Sequence, residues 1–322
     1  MTTDAKAERR VLVTGAAGYI GRLVVERLAR DRRAIATLVA TDLRAVPEAE
    51  RMPGVIYEAA DITKDEVAAL IEKHAIDSVV HLAAIVTPPG DSGRELAHKV
   101  DVQGTERLLR ASVAHGVRQF VITSSGAAYG YHADNPPLLH EDDALRGNEI
   151  FAYAHHKRLV EEMLARYREE HPELGQLVLR PGTVIGPRTH NQITAIFERP
   201  VVLGLKEAET PFVFIWDEDV AAIIAEGVHG ERRGIYNLAG DGVMTLREIA
   251  VAMGKPFVAL PAKVVERGLE VMQAFGVAPY GPEQVCFLRY RPVLSGERLQ
   301  RELGYRPKSS REAFETYRHA HV

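Results

Sequence analysis

Short apolar runs alternate with helical patterns through the first half of the chain. The runs predict strands at residues 10–14, 34–42, 55–59, 77–84, 119–125 and 176–182, and the patterns between them predict helices at about 18–30, 64–74, 94–115 and 153–170. The apolar runs lack the alternation of a half-exposed strand, as is typical of strands covered by helices on both faces. We therefore predict an α/β fold with a doubly wound parallel sheet, in which ligands bind beyond the carboxyl ends of the strands.

The regular alternation ends after Pro187, and roughly the last sixty residues are mainly helical, with prolines between the helices. This change predicts two domains. Residues 1–187 would form the larger one, with residues 217–240 returning to it, and residues 188–322 would form a smaller, interleaved C-terminal domain that contacts the substrate.

Composition limits the classes of partner. The 322 residues carry a formal net charge of −4 and are 46% hydrophobic, which argues against a nucleic acid or an anionic membrane as the main partner. No apolar run has the length of a membrane span, and the polar start of the chain lacks a signal sequence, so we expect a cytoplasmic protein with a small-molecule substrate. The single cysteine, Cys286, excludes an internal disulfide, and we expect it to be buried in a reducing compartment.

A glycine-rich segment, VTGAAGYIGR at residues 13–22, joins the first predicted strand to the first predicted helix. Gly15 would allow the tight turn, Gly18 would let another molecule approach the backbone, and Gly21 would let the helix pack closely on the strand. A helix N-terminus favours a phosphate there. The alternative is a turn that simply requires glycine.

Asp42 ends the second apolar run, 21 positions after Gly21, close to the spacing at which a carboxylate meets the ribose hydroxyls of a dinucleotide. A carboxylate there would repel a 2′-phosphate, which favours NAD over NADP. Arg44 leaves the alternative open, because a guanidinium in the same loop can hold that phosphate.

Ser125, Tyr153 and Lys157 are the candidate catalytic residues. Tyr153 and Lys157 are four positions apart and share a face of the predicted helix, while Ser125 ends a predicted core strand. A tyrosine with a pKa of about 10 needs roughly 4 kcal/mol of selective anion stabilisation to act as a base near neutral pH, and a nearby ammonium group supplies much of it. The alternative is an ordinary Tyr and Lys on an amphipathic helix.

His155 and His156 lie between the catalytic candidates and raise the question of a metal site. Neighbouring helical positions point about 100° apart, so the two side chains cannot chelate one ion together. We expect one imidazole to be exposed and the other to lie at an interface, and we expect no metal.

Several segments, in this order, resemble the extended short-chain dehydrogenases, the NAD-dependent epimerase/dehydratase group. They are TGAAGYIG, Asp42, ADI at 60–62, HLAA at 81–84, SSGAAYG at 124–130, YAHHK at 153–157 and RPG at 180–182. The resemblance covers about the first 190 residues and implies a Rossmann-type domain that binds NAD. It implies that Tyr153 is the acid/base, that Lys157 holds the nicotinamide ribose and lowers the pKa of the tyrosine, and that Ser125 lies beside the substrate oxygen.

The same resemblance implies where the cofactor binds. Gly15, Gly18 and Gly21 would form the turn under the pyrophosphate, with Asp42 at the ribose. Further residues match the family's pyrophosphate, adenine, cofactor-lining and nicotinamide positions, and these are Tyr19 and Ile20, Asp61 and Ile62, Leu82, Ala83 and Ala84, and Gly182.

Two positions depart from the family pattern. Asp101 stands where the family commonly has Asn, and a carboxylate cannot donate a hydrogen bond as an amide does, so a proton relay through this position would differ. Phe212 stands where nucleotide-sugar enzymes usually carry an Arg that pairs with the substrate diphosphate. Arg289 or Arg291 could compensate, although each is expected to be a solvated surface charge, and we expect UDP to bind weakly.

Three functional hypotheses follow. The first, which the sequence favours, is net hydride transfer between NAD and a secondary alcohol or ketone. The second is a nucleotide-sugar epimerase or dehydratase, in which NAD is reduced only transiently. The third is a regulator that senses NAD without turnover, which the intact set of Ser125, Tyr153 and Lys157 disfavours. Apolar residues spread over half of the helix at 152–167 predict a homodimer.

Overall fold

The structure is a computed structural model that describes residues 8–86, 93–275, 281 and 284–321. It divides the chain into two compact units, each built from several segments. Unit 1 holds the chain up to Ser124, His156–Leu179 and Val220–Tyr236, and unit 2 holds Ser125–His155, Arg180–Asp219 and the chain from Asn237 onward.

The strands of the described residues are, in chain order, β1 (Arg9–Thr14), β2 (Ile35–Asp42), β3 (Ile56–Ala59), β4 (Ser78–His81), β5 (Gln119–Thr123), β6 (Gly175–Pro181), β7 (Thr183–Ile185), β8 (Val202–Leu205), β9 (Pro211–Phe212), β10 (Phe214–Trp216), β11 (Gly234–Leu238), β12 (Met244–Thr245) and β13 (Phe257–Leu260).

The helices of the same residues are α1 (Tyr19–Arg30), α2 (Glu66–Lys73), α3 (Gly93–His98), α4 (Thr105–Ala114), α5 (Ala152–Glu170), α6 (Thr194–Glu198), α7 (Asp217–His229), α8 (Leu246–Ala252), α9 (Ala262–Ala274), α10 (Gln284–Arg289), α11 (Glu297–Leu303) and α12 (Ser310–His321). A π-helical segment, Lys99–Gly104, joins α3 to α4.

Unit 1 is built around a seven-stranded sheet with the order β11-β6-β5-β4-β1-β2-β3. The pairs from β6 to β3 are parallel, and the direction of winding reverses between β1 and β4. Val11, Leu12 and Val13 of β1 have no exposed surface, because helices cover both faces of the sheet. The predicted doubly wound, Rossmann-type sheet is confirmed, and its switch point lies at the carboxyl ends of β1 and β4.

Unit 2 combines three two-stranded pairs with short helices around an aromatic core. The strand pairs are β7 with β10, β8 with β13, and β9 with β12. Phe197 contacts Phe212, Phe214 and Phe314 edge-on, at ring-centroid distances of 5.3, 6.1 and 6.0 Å. The sequence left Trp216 and Phe214 open between a pocket wall and a core, and both are buried in this core.

Two expectations about exposure need correction. Cys286 on α10 is exposed, whereas we expected it to be buried. On α5, Val160, Met163 and Leu164 are buried in the core of unit 1, and Leu159 packs partly against that core. The apolar strip that suggested a partner helix is thus largely covered within one chain, and the homodimer stays a prediction.

None of the helices in the described ranges is both long enough and apolar enough to cross a membrane.

Candidate active site

The predicted cofactor residues of unit 1 begin at the turn between β1 and α1. Gly15 has a φ of +70°, and a methyl group added to it would lie 2.5 Å from the backbone nitrogen of Ala83. A methyl group on Gly21 would overlap the carbonyl oxygen of Gly15. Gly18 is the N-cap of α1 and provides no side-chain cap, so the helix presents backbone N–H groups at its N-terminus, which is suited to an anion.

Asp42 ends β2 beside this turn. Its Oδ2 atom accepts a hydrogen bond from the backbone N–H of Ala17 at 3.0 Å, which holds the carboxylate next to the glycine-rich segment. Arg44 lines the same small cavity as Asp42. Asp42 and Arg44 therefore both lie at the end of β2.

The remaining cofactor candidates of unit 1 follow β3 and β4. Asp61 Oδ1 accepts hydrogen bonds from the backbone and the hydroxyl of Thr63, at 2.9 and 2.7 Å. Ile62 is buried against Gly104, where an added methyl group would lie 3.0 Å from the Ile62 side chain. The backbone N–H of Leu82 donates to the Thr14 carbonyl at 3.2 Å, so the segment Leu82, Ala83 and Ala84 starts beside the glycine turn.

Lys157 is 6% exposed, and its Nζ atom donates to the Thr123 carbonyl at the end of β5 at 2.9 Å. Burial lowers the pKa of Lys157, and the carboxylates of Asp101 and Glu161 oppose that effect. Tyr153 lies one turn earlier on α5, in the part of the helix that belongs to unit 2. The ammonium group is thus fixed in a buried place at the end of β5.

Asp101 lies in the π-helical segment and is 3% exposed. One carboxylate oxygen accepts the backbone N–H of Ile85 at 2.8 Å, and the other lies 3.5 Å from Nδ1 of His156. His156 is 2% exposed, and its ring meets that of His98 edge-on, with the ring centroids 5.4 Å apart. We expected one exposed and one interfacial imidazole; neither is exposed, because His156 is buried beside Asp101 and His155 is half-buried. Asp101 lies in a π-helical segment, and such segments are frequent at functional sites. The sequence alone did not indicate this segment.

His81 is a functional candidate that the sequence analysis missed. It ends β4, and its ring nitrogens lie 2.7 Å from Oγ1 of Thr14 and 3.0 Å from Oγ1 of Thr105. Burial, together with the charge of Lys157, lowers the pKa of His81 to about 3. The neutral imidazole therefore ties together the carboxyl ends of β1 and β4 without adding a second positive charge beside Lys157.

Ser125, Tyr153 and Gly182 belong to unit 2. Ser125 precedes the 3₁₀ turn Gly126–Tyr129, and its Oγ atom accepts the N–H of Ala127 at 3.1 Å, so a local cap fixes the hydroxyl. The N–H of Gly182 donates to the Leu238 carbonyl at 2.9 Å. A methyl group there would lie 3.0 Å from the Val213 side chain, which favours glycine at this position.

Unit 2 also contains a cluster that we call the Arg291 cluster, made of Arg291, Phe212, Phe287, Tyr131 and Thr183. The guanidinium carbon of Arg291 lies 4.1 Å from the ring centroid of Phe212 and 4.5 Å from that of Phe287, while Nη2 donates to Oγ1 of Thr183 at 2.9 Å. Tyr131 packs on Phe287, with the ring centroids 5.2 Å apart.

This cluster corrects the expectation that Arg291 is a solvated surface charge. Its Nε and Nη1 atoms are buried, and neither has a hydrogen-bond partner among the described residues. Burial lowers the pKa of Arg291 to about 10 and raises that of Tyr131 to about 12. Arg289, by contrast, is exposed, as expected. No sequence signal pointed to Tyr131 or Phe287, because aromatic residues at such separations do not form a motif.

The sequence of this chain is similar to those of a known enzyme family. A model of the NAD-dependent epimerase/dehydratase family matches residues 11–237. A UDP-glucose 4-epimerase from Mycolicibacterium smegmatis is 32% identical over 276 residues, which cover 77% of this chain and 83% of that protein.

Two solved structures share the fold. The UDP-glucose 4-epimerase of Thermotoga maritima, solved with UDP-glucose, superposes with a TM-score of 0.74 at 21% identity and covers 97% of this chain and 98% of its own. The UDP-glucose 4-epimerase of Thermus thermophilus, solved with NAD, gives a TM-score of 0.70 at 24% identity and covers 96% and 99%.

Proposed function

This chain belongs to the NAD-dependent epimerase/dehydratase family, and on that premise we propose that it is a nucleotide-sugar epimerase or dehydratase. It is an NAD-dependent enzyme, and its relatives include UDP-glucose 4-epimerases. The reaction proposed here oxidises a secondary alcohol of the sugar and later returns the hydride, so that no NADH accumulates.

The observation that carries this proposal is the position of Arg291. Nucleotide-sugar enzymes of this kind usually have an Arg where this chain has Phe212, and here the guanidinium of Arg291 stacks on the Phe212 ring. Two of its nitrogens are buried and have no partner among the described residues, an arrangement that is costly unless a charged acceptor meets the donors. A phosphate group is such an acceptor and can take two hydrogen bonds from one guanidinium.

The proposed chemistry divides between cofactor and protein. NAD, when bound, would supply the hydride acceptor. The Tyr153 phenolate takes the proton from the sugar hydroxyl and, as the phenol, later gives it back, while Ser125 Oγ donates a hydrogen bond to the same substrate oxygen. Lys157 keeps a positive charge near Tyr153 and so lowers the pKa of that hydroxyl. Gly15, Gly18 and Gly21 admit the pyrophosphate of NAD to the helix N-terminus, and Asp42 binds the adenosine ribose.

The second candidate is net oxidation or reduction of an uncharged secondary alcohol or ketone. Phe212 favours it, because the Arg that nucleotide-sugar enzymes usually carry at this position is missing. The hypothesis of a regulator without turnover is dropped, since the chain belongs to a family of enzymes and keeps Ser125, Tyr153 and Lys157.

Product analysis separates the two candidates. The purified enzyme is incubated with NAD and a panel of UDP- and dTDP-hexoses. The sugar is followed by proton NMR, and the formation of NADH is followed by absorbance. We expect an epimer or a dehydrated sugar to form without accumulation of NADH. Failure to convert any nucleotide sugar, together with stoichiometric NADH from an uncharged secondary alcohol, would instead support the second candidate.

A further inference from the structure

Two potential metal ligands of unit 2 lie at the two ends of a short stretch that contains α6. Asn191 Oδ1 accepts the backbone N–H groups of Ile193 and Thr194 at 2.8 and 3.0 Å, which fixes the turn that begins the helix. His190 immediately precedes this cap, and Glu198 is the last residue of α6. His190 Nδ1 lies 3.7 Å from Glu198 Oε1.

The aromatic core of unit 2 brings the end of α12 to the same place. Phe197 of α6 and Phe314 of α12 pack edge-on with their ring centroids 6.0 Å apart, and Tyr317, one turn after Phe314, is fully buried in the same core. His321 is one further turn along α12, and its ring lies 4.2 Å from that of Tyr317, centroid to centroid. Glu198 and His321, which are 123 positions apart in sequence, thus lie close together because α6 and α12 pack on each other.

Three side chains of this region converge. A nitrogen of His190, a nitrogen of His321 and a carboxylate oxygen of Glu198 all lie within 4.8 Å of one another. The two imidazole rings are 5.6 Å apart with an interplanar angle of 76°. Two imidazoles that share one tetrahedral zinc, with zinc–nitrogen bonds of about 2.0–2.1 Å, have ring centroids about 5 Å apart. The rings are therefore already near the required separation.

The hydrogen bonds around these residues prepare them for a metal. His321 Nδ1 lies 2.9 Å from the Tyr317 carbonyl, which can only accept, so Nδ1 carries the proton and Nε2 keeps its lone pair. That Nε2 is buried and has no hydrogen-bond partner among the described residues. The Tyr317 hydroxyl donates to Glu198 Oε1 at 3.1 Å. Such outer hydrogen bonds orient ligands in known metal sites.

We propose that His190, Glu198 and His321 bind one divalent transition-metal ion, with zinc as the best match. Two imidazoles and one carboxylate form a ligand set that zinc takes commonly, with water completing the tetrahedron. His190 and Glu198 are exposed and can move the short distance that coordination requires. The ion would fasten the end of α12 to the segment 190–198, a structural role that does not depend on the proposed reaction.

Zinc titration of the full-length, tag-free protein tests the proposal. After removal of metals with EDTA and dialysis, zinc(II) is titrated in competition with a chromophoric chelator, and the melting temperature is measured with and without zinc. We expect one zinc per chain and a higher melting temperature with zinc. We expect His190→Ala and His321→Ala each to weaken zinc binding at least about tenfold, and Tyr317→Phe to weaken it less, as for loss of an outer hydrogen bond.

Two control variants make the test specific. His319→Ala removes an exposed imidazole from the same end of α12. His171→Ala disrupts a different His–Glu pair, in which Nδ1 of His171 lies 3.3 Å from a carboxylate oxygen of Glu173. Both should bind zinc as the wild type does. Cobalt(II) should give the visible absorption of a tetrahedral site in the wild type and in both control variants, but not in His190→Ala or His321→Ala. The proposal is overturned by the absence of stoichiometric zinc binding, or by equal zinc affinity in the wild type, His190→Ala and His321→Ala.

Discussion

The glycine turn of unit 1 and the Arg291 cluster of unit 2 are the two phosphate sites that we propose, and they are built in opposite ways. The turn uses backbone N–H groups and missing side chains within residues 13–22, where the methyl group that any other residue would add to Gly15 collides with Ala83. The Arg291 cluster uses one charged side chain held between Phe212 and Phe287 from distant segments. The first construction leaves a local pattern in the sequence, and the second leaves none.

The largest expected effect separates chemistry from cofactor binding. Tyr153→Phe removes only a hydroxyl and should lower turnover by about a hundredfold to ten-thousandfold, while NAD affinity stays unchanged. Steady-state kinetics and calorimetric titration with NAD measure the two quantities. Wild-type turnover in this variant would refute the assignment of Tyr153 as acid/base.

Backbone constraint at the turn is tested by a matched pair of glycines. Gly15 and Gly116 both have a φ of +70°, but a methyl group on Gly116 meets nothing within 4 Å. Gly15→Ala should lower the free energy of unfolding by roughly 3 kcal/mol or more and weaken NAD binding, while Gly116→Ala should cost only about 1 kcal/mol. Urea denaturation measures both. Equal losses would show that the contact with Ala83 has no special importance.

The preference for NAD over NADP tests the proposed role of Asp42 at the end of β2. We expect the wild type to bind NAD more tightly than NADP, because the carboxylate repels the 2′-phosphate. Asp42→Ser should reduce this preference by about tenfold, or roughly 1.4 kcal/mol. Calorimetric titration with each cofactor measures it. Tighter binding of NADP than of NAD by the wild type would contradict this assignment and indicate that Arg44 binds the 2′-phosphate.

A smaller effect is expected from the negative charge of Asp101, which acts on the pKa of Lys157. Asp101 opposes the lowering of the Lys157 pKa by burial, so Asp101→Asn should lower that pKa further. The ammonium is lost as the pH rises through this pKa, and the alkaline limb of the kcat–pH profile should therefore move to lower pH by up to about one unit. Glu162→Gln, which changes an exposed carboxylate on the same helix, should leave the profile in place. An unshifted profile in Asp101→Asn would rule out this electrostatic role.

The sequence predicted what backbone geometry and strand periodicity determine. The sheet, the turn before α1 and the position of Asp42 at the end of β2 follow from local patterns and are present in the structure. It did not predict which charged side chains are buried. Asp101 and His156 meet across 55 positions, and two nitrogens of Arg291 are buried where its guanidinium lies over Phe212 and Phe287. Those contacts depend on tertiary packing, which a single sequence does not display.

Calorimetric titration of the NAD-loaded enzyme with UDP tests the central claim, that Arg291 replaces the cation missing at position 212. From Phe212 alone we expected weak binding, whereas the Arg291 cluster predicts saturable UDP binding. Loss of one charged donor costs about 1.5–3 kcal/mol, so Arg291→Ala should weaken UDP binding by about tenfold to a hundredfold. Arg289→Ala, two positions away and exposed, should bind UDP as the wild type does. The contradicting result is no UDP binding by the wild type, or the same UDP affinity in the wild type and Arg291→Ala.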